Sequence, residues 1–362
     1  MGVDRMSNTP TIVVLEGDQT GQELLEEAIR VLAPEVIGLP LNLVRYDLSL
    51  ENRRATQNRV VREAAAAMRE AGYGLKAATI TPEGRGDVGS PNAILRREID
   101  GTVILRTGRA LPGVETIGHI TAPITVVRMA TEDAYEAKEW REGEGDEARA
   151  FRTTYISARN CRATAEFAFR LARQMGALVF GGPKWTVSPT YEGLLKEAMD
   201  EAARRNPDVP YDPQLIDAAY ALLFARASRP LVIPCLNRDG DILSDLVLAL
   251  YGSIAGAESL LIAFDDEFRP RVVMAEAPHG TAPSLQGKNV ANPLAMQLAA
   301  GALLKQMDDP DYQRAGEAIQ EACLDAVAAG VRTADLGGTA RTTEFTDEVM
   351  RRVKDKLAVP AR

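Results

Sequence analysis

Asp241 and Asp245 stand four positions apart in NRDGDILSD, with Ile242, Leu243 and Leu246 around them. On a helix opening here, both carboxylates would share one face. Close carboxylates repel unless a cation lies between them, and hard oxygen ligands suit Mg2+ or Mn2+. The same spacing also describes a solvated acidic helix start stabilised by the macrodipole. It does not describe a calcium loop, whose first and twelfth ligand positions would be Cys235 and Leu246. Arg96, Arg106 and Arg128 form a second group, in or beside the apolar runs AILRREI, VILRTG and ITVVRMA. Arginines in such settings require anionic partners, and their planar forks suit carboxylates. Internal salt bridges would satisfy them, and so would a small polycarboxylate bound near the helix start at Ser90. A third group is the loop EAPHGTAPSLQGKNVANP (276–293). There His279, Gly280 and Thr281 offer a ring for stacking and backbone N–H groups for an anion.

Other chemistries are disfavoured. The chain of 362 residues has two histidines and three cysteines. Cys161, Cys235 and Cys323 are widely separated, without C-x-x-C spacing. A disulfide framework or thiolate zinc site is therefore not expected, and any metal must sit on oxygen ligands. The thiols read as buried and free, as in a reducing cytoplasm. Lys and Arg number 42 against 51 Asp and Glu, a net charge of −9. That balance argues against nucleic-acid and anionic membrane partners. The first ten residues lack the apolar core of a secretory signal. GRGDVG (84–89) matches G-x-G-x-x-G, but Thr81-Pro82-Glu83 replaces the required strand and no strand-end acid follows at the right distance.

The elements that must position these groups alternate. Short β-branched or apolar runs at 11–15, 75–80, 102–105, 124–128, 177–180, 230–234, 259–264 and 271–275 read as strands. Helical periodicity marks 23–32, 60–72, 161–176, 192–205, 293–307 and 344–357. Ser90 is the expected N-cap of another helix, with Pro91 in its first position. The charged segment 141–149 reads as an exposed loop. The longest apolar stretch, 246–264, is interrupted by glycines and reads as a buried helix and strand, not a membrane span. The pattern predicts an α/β protein.

Taken together, these segments resemble the β-decarboxylating dehydrogenases, the family of isocitrate and isopropylmalate dehydrogenases. The resemblance is collinear from EGDQTGQE (16–23) to DLGGTARTTEF (335–345). Its most specific blocks are SPNAILRREIDGTVILRTGRALPGV (90–114), RMATEDAY (128–135), LNRDGDILSD (236–245) and the 276–293 loop. It implies a two-domain mixed α/β fold that is not a Rossmann fold. Residues 1–105 and 251–362 would form the large cofactor-binding domain, and 106–250 the small dimerising one. It implies that Arg96, Arg106 and Arg128 clamp substrate carboxylates, that Tyr135 and Lys184 (in GGPKWTV) are catalytic, and that Asp241 and Asp245 bind metal. Asp217 (in LIDAAY) would complete the metal site across a homodimer interface, with Lys184 also acting in trans. Cofactor contacts would come from Thr81, Glu276, His279, Gly280, Thr281, Ala282, Ser284, Leu285, Asn292 and Asp335.

Ser90 and Asn92 resemble the polar pair that binds the distal carboxylate in isocitrate enzymes, so isocitrate is the expected substrate. Ser284 and Leu285 stand where NADP-specific members carry Lys and Tyr, and DLGG resembles NAD users, so NAD is the expected cofactor, with Mg2+ or Mn2+. Departures from the family pattern fall at EGDQTG, at Met129-Ala130 before TED, and at Pro183-Lys184-Trp185-Thr186. They keep open another 3-substituted malate (isopropylmalate, homoisocitrate or tartrate type) and a non-catalytic regulatory subunit.

Overall fold

The computed structural model describes residues 9–84 and 86–358. Residues 1–8, on which the leader expectation falls, lie outside them. The chain opens with β1 (Thr11–Glu16), α1 (Gln19–Val31), α2 (Pro34–Ile37), β2 (Asn42–Asp47), α3 (Leu50–Thr56), α4 (Arg59–Ala71) and β3 (Tyr73–Lys76). Then come α5 (Pro91–Glu98), β4 (Val103–Gly108), β5 (Ile124–Met129), β6 (Lys138–Glu142), β7 (Arg149–Thr153), α6 (Ala158–Met175) and β8 (Leu178–Phe180). The run α7 (Gly193–Arg205), β9 (Tyr211–Asp212), α8 (Ile216–Arg226), β10 (Leu231–Cys235), α9 (Asn237–Leu250) follows. The chain closes with β11 (Ser259–Phe264), β12 (Pro270–Glu276), α10 (Leu294–Leu304), α11 (Pro310–Ala328) and α12 (Thr342–Ala358).

Ten strands form one mixed sheet, in the order β2-β1-β3-β12-β11-β4-β5-β10-β8-β9. Its two wings are parallel, while β12, β11, β4 and β5 run antiparallel through the centre. Helices cover both faces, so β5, β10 and β11 are buried along their whole length, which is why they read as unbroken apolar runs. All of α10 is likewise buried, which explains its lack of a polar face. α4 buries Val60, Val61, Ala64, Ala65 and Met68 on one stripe and ends at Gly72 in the left-handed conformation, φ 81°. The expected boundary at 105/106 falls inside β4.

Several expectations are corrected. The charged segment 141–149 is not all loop: β6 and β7 pair as an exposed hairpin, with Trp140 stacked on Phe151 at 5.1 Å. The strand expected over 75–80 leaves the sheet after Lys76, because Asp18 draws the chain aside: its N–H donates to Ala78 O and its carboxylate accepts the Ile80 N–H. Ser90 and Pro91 take the expected N-cap and first positions of α5, but the Ser90 side chain makes no capping hydrogen bond. Several further elements escape pattern reading, the short α2 and β9 and the helix α8 among them. β2 is an edge strand without clean burial alternation, α3 is short, and α11 is alanine-rich.

Two phenols are integral to this packing, Tyr251 buried and Tyr211 half-buried: Tyr251 donates to Ala122 O at 2.5 Å and Tyr211 to Asp200 Oδ1 at 3.0 Å. Burial pushes both above the ordinary tyrosine range. Below about pH 10 both folded and unfolded chains keep these protons, and stability is indifferent to them. Above it the unfolded chain ionises while the fold must hold them neutral, so stability falls as pH rises. These two phenols are expected to ionise, by absorbance at 295 nm, only together with the loss of far-ultraviolet circular dichroism. Ionisation of Tyr211 and Tyr251 in the intact fold at pH 10 would contradict this.

Candidate active site

Sheet register builds the centre of the site. Lys76 of β3 lies opposite Glu276 of β12, Glu276 opposite Ser259 of β11, and Ser259 opposite Arg106 of β4. Arg106 faces Val126 of β5, and Arg128 lies two residues further along, on the same face. A row of charge therefore crosses the middle of the sheet. Lys76 is 1% exposed and donates to Glu276 Oε2 at 3.1 Å and to Ala77 O at 2.9 Å. Burial alone would raise the Glu276 pKa; Lys76, with Arg96 and Arg106, overcomes it and holds the carboxylate below its usual range.

α9 lies against this row. It begins at Asn237, so Asp241 and Asp245 do share one helical face. Arg106 Nη1 donates to Asp245 Oδ1 at 2.9 Å and to Ser244 Oγ at 3.1 Å. Arg128 donates through Nε and Nη2 to Asn237 Oδ1 at 3.0 and 2.8 Å, and through Nη1 to Asp241. Tyr135, on the 3₁₀ turn Asp133–Glu136, donates its hydroxyl to Asp241 Oδ2 at 2.9 Å. Burial, then the Asp241 hydrogen bond, raises the Tyr135 pKa and keeps the phenol protonated. Burial lowers Arg128 to about 10, and the neighbouring Arg96 adds to the effect against the pull of Asp241. Arg96 is also lowered, chiefly by burial, and makes no ion pair among the described residues.

Three buried polar atoms here have no partner among the described residues: Asn92 Oδ1, Arg106 Nε and His279 Nε2. Orphaned buried donors and acceptors cost roughly 1–3 kcal/mol each, so a site holding an unsatisfied guanidinium N–H and an unpartnered arginine is built to receive an anion. Ser90 and Asn92 stand at the start of α5, the helix that carries Arg96.

A cleft of about 730 Å³ adjoins the row. Its walls include Thr20, Leu24, Ile254, Val290 and the expected residues His279, Gly280, Ala282, Leu285, Asn292 and Asp335. Thr333 Oγ1 donates to Asp335 Oδ1 at 2.5 Å and Asn292 Nδ2 donates to Oδ2 at 3.0 Å, fixing that carboxylate. Burial lowers the His279 pKa, leaving a neutral ring. Thr81, Thr281 and Ser284 do not line this cleft, and Glu276 belongs to the charged row.

Lys184 and Asp217 stand together. Lys184 Nζ pairs with Asp217 Oδ1 at 2.5 Å, and the bond to Lys184 lowers the Asp217 pKa. Asp241 and Asp245 fit a hard divalent cation in kind; the described residues hold no group of three His, Cys, Asp or Glu side chains placed to bind one. Pattern reading missed Lys76 and Asn237. The signal for Lys76 was the one used for the arginines, a cation inside an apolar run.

Fold and site together define a β-decarboxylating dehydrogenase, an NAD(P)-dependent oxidoreductase acting on a CH–OH group. The family model for isocitrate/isopropylmalate dehydrogenase matches residues 11–349, and the chain belongs to that family. It is 31% identical over 347 residues to the Arabidopsis thaliana isocitrate dehydrogenase [NAD] catalytic subunit 5, mitochondrial, covering 95% of this chain and 88% of that one. It is 32% identical to the 3-isopropylmalate dehydrogenase of Archaeoglobus fulgidus, covering 93% and 98%. To the isocitrate dehydrogenase [NADP] of Thermus thermophilus it is 32% identical, covering 94% and 67%. The crystal structure of isocitrate dehydrogenase from Methylococcus capsulatus has the same fold, with a TM-score of 0.82 at 24% identity, covering 96% of this chain and 100% of that one.

Close packing fixes Arg128. A Cβ on Gly240 of α9 would lie 2.6 Å from Arg128 Cβ and 2.8 Å from its Cγ. Gly240→Ala is expected to cost about 1–3 kcal/mol in chemical denaturation and to raise KM for the carboxylate substrate. Unchanged values of both would show that this approach does not position the arginine.

Proposed function

We propose that this protein oxidatively decarboxylates isocitrate to 2-oxoglutarate, using NAD+ and Mg2+ or Mn2+. The observation that carries the reading is the excess of cationic and donor groups at the charged row, beside the polar start of α5. Arg96, Arg106 and Arg128 bind the substrate carboxylates, and their fixed geometry orients the C2–H bond toward the cleft. Ser90 and Asn92 take the distal carboxylate. An isopropyl group there would strand both side chains against apolar surface, at about 1–3 kcal/mol per group. Lys184 accepts the 2-hydroxyl proton. When bound, NAD+ supplies the hydride acceptor and a divalent cation held by Asp241 and Asp245 supplies Lewis acidity toward the substrate oxygen. After loss of CO2, Tyr135, neutral and aimed into the site, delivers its proton to the substrate carbon.

Lys184 and Asp217 serve the site of a second copy in this reading, which makes the protein a homodimer. Support comes from exposed apolar side chains around these helices: Ile242 and Leu246 on α9 are 54% and 39% exposed, and Phe224 on α8 is 51% exposed. The two-domain division follows the sheet order, with β2, β1, β3, β12 and β11 in one domain and β5, β10, β8 and β9 in the other. Absence of a cation opposite the 2′-position at Ser284 and Leu285 supports NAD over NADP. Three free, buried cysteines suit the cytoplasm.

The test is a panel of 2-hydroxy acids with NAD+ and NADP+ in parallel, with and without a chelator. Isocitrate and NAD+ are expected to give the highest kcat/KM, abolished by chelation. Preference for isopropylmalate would overturn the substrate assignment. Tyr135→Phe and Lys184→Met are each expected to lower kcat by roughly 10²–10⁴-fold with the fold intact; full activity in either would remove that residue from the mechanism.

A further inference from the structure

One buried carboxylate with no part in this chemistry sits where three catalytic segments meet. Asp133 is 7% exposed and lies two residues before Tyr135. Its Oδ1 accepts the Tyr191 hydroxyl at 2.9 Å, and its Oδ2 accepts the Arg238 backbone N–H at 2.9 Å. The first bond reaches the loop carrying Lys184, whose own N–H donates to Glu192, the residue after Tyr191. The second reaches the first turn of α9, just ahead of Asp241. Leu236 occupies the N-cap position of α9 and has no side chain able to cap it. Asp133 therefore caps that helix from across the fold.

The backbone around it is held under strain. Glu132 and Asp133 have φ of 64° and 59°, a conformation that such residues keep only when their surroundings fix it. Here Asp133 N–H donates to Tyr155 O at 3.0 Å, and Glu132 Oε2 accepts the Ser157 N–H at 2.7 Å. Asn237 Nδ2 donates to Glu132 O at 3.1 Å, joining the same turn to α9 a second time.

We propose that Asp133 is a positioning residue, locking the Tyr135 turn, the Lys184 loop and the acidic face of α9 into one unit. This rests on the functional reading above. Because that reading assigns Lys184 to the site of a second copy, the Tyr191–Asp133 bond ties the base of one active site to the proton donor of the other.

Tyr191→Phe removes one hydroxyl and keeps the ring. Asp133→Asn keeps the size and removes the capping charge. Each is expected to lower kcat about tenfold, the scale of a sub-ångström misplacement, with KM for the hydroxy acid unchanged because the three arginines are untouched. The double variant is expected to be no slower than the slower single, since Tyr191 acts only through Asp133. Parental kcat in both singles, a rise in KM instead, or losses that multiply in the double would overturn the proposal. Should Asp133→Asn fail to fold, the kcat and KM of Tyr191→Phe decide alone. If the parent turned over no hydroxy acid, the functional reading would fail separately. Amide exchange would then decide: Tyr191→Phe must speed exchange at the Arg238 N–H, and unchanged exchange there would refute the coupling.

Discussion

Lys76, Arg106 and Arg128 project from strands at the centre of the main sheet, where Lys76 and Arg128 are almost fully buried and Arg106 is only partly reached by water. A buried charge without a partner costs several kcal/mol, so each must be matched. Glu276 matches Lys76, Asp245 matches Arg106, and Asp241 matches Arg128. Arg96 is left over. The resulting centre is short of negative charge, and its donors are fixed before any ligand arrives. Such preorganisation is what makes electrostatic binding effective, because no dipoles need to reorient. The mixed register at the centre of the sheet makes it possible, since it aligns side chains from β3, β12, β11 and β4 that are distant in the chain.

The same register explains how two unlike subsites adjoin. β12 ends at Glu276, in the charged row, and three residues later His279 lines the cleft. α9 begins beside Arg128 and ends next to Gly252–Ala255, another wall of that cleft. Two short chain connections thus hold an anion site and a largely apolar cleft in fixed relation. Any two ligands bound there meet at a predetermined distance, which replaces a bimolecular encounter by a positioned one.

How much of this was legible beforehand depends on whether one residue or a long-range pairing carries the signal. Arginines inside apolar runs announced themselves, because such residues are rarely buried without purpose. The i,i+4 carboxylates of α9 were readable once the segment was taken as helical, and the continuous apolar strands were readable from their length. The row Lys76–Glu276–Arg106 was not, since it exists only through strand register between residues up to 200 positions apart. Asp133 escaped for a related reason: it caps a helix that begins more than a hundred residues later. The hairpin of β6 and β7 was hidden by its charge, which marks exposure and not the absence of structure.

Ser90 illustrates how a failed local expectation can inform the site. A serine before a helix usually spends its hydroxyl on the first turn, which is worth about 1 kcal/mol. Here it does not, and Asn92 beside it keeps a buried oxygen unpartnered. Giving up local stability at two positions of one turn is the pattern expected of groups reserved for a ligand. It also sets selectivity in one direction. A polar pair rejects an apolar substituent strongly, because its own hydrogen bonds go unmade, whereas an apolar pocket rejects a polar substituent far less. Under the proposed reading, the start of α5 therefore discriminates between isocitrate and isopropylmalate through what the wrong substrate leaves unsatisfied.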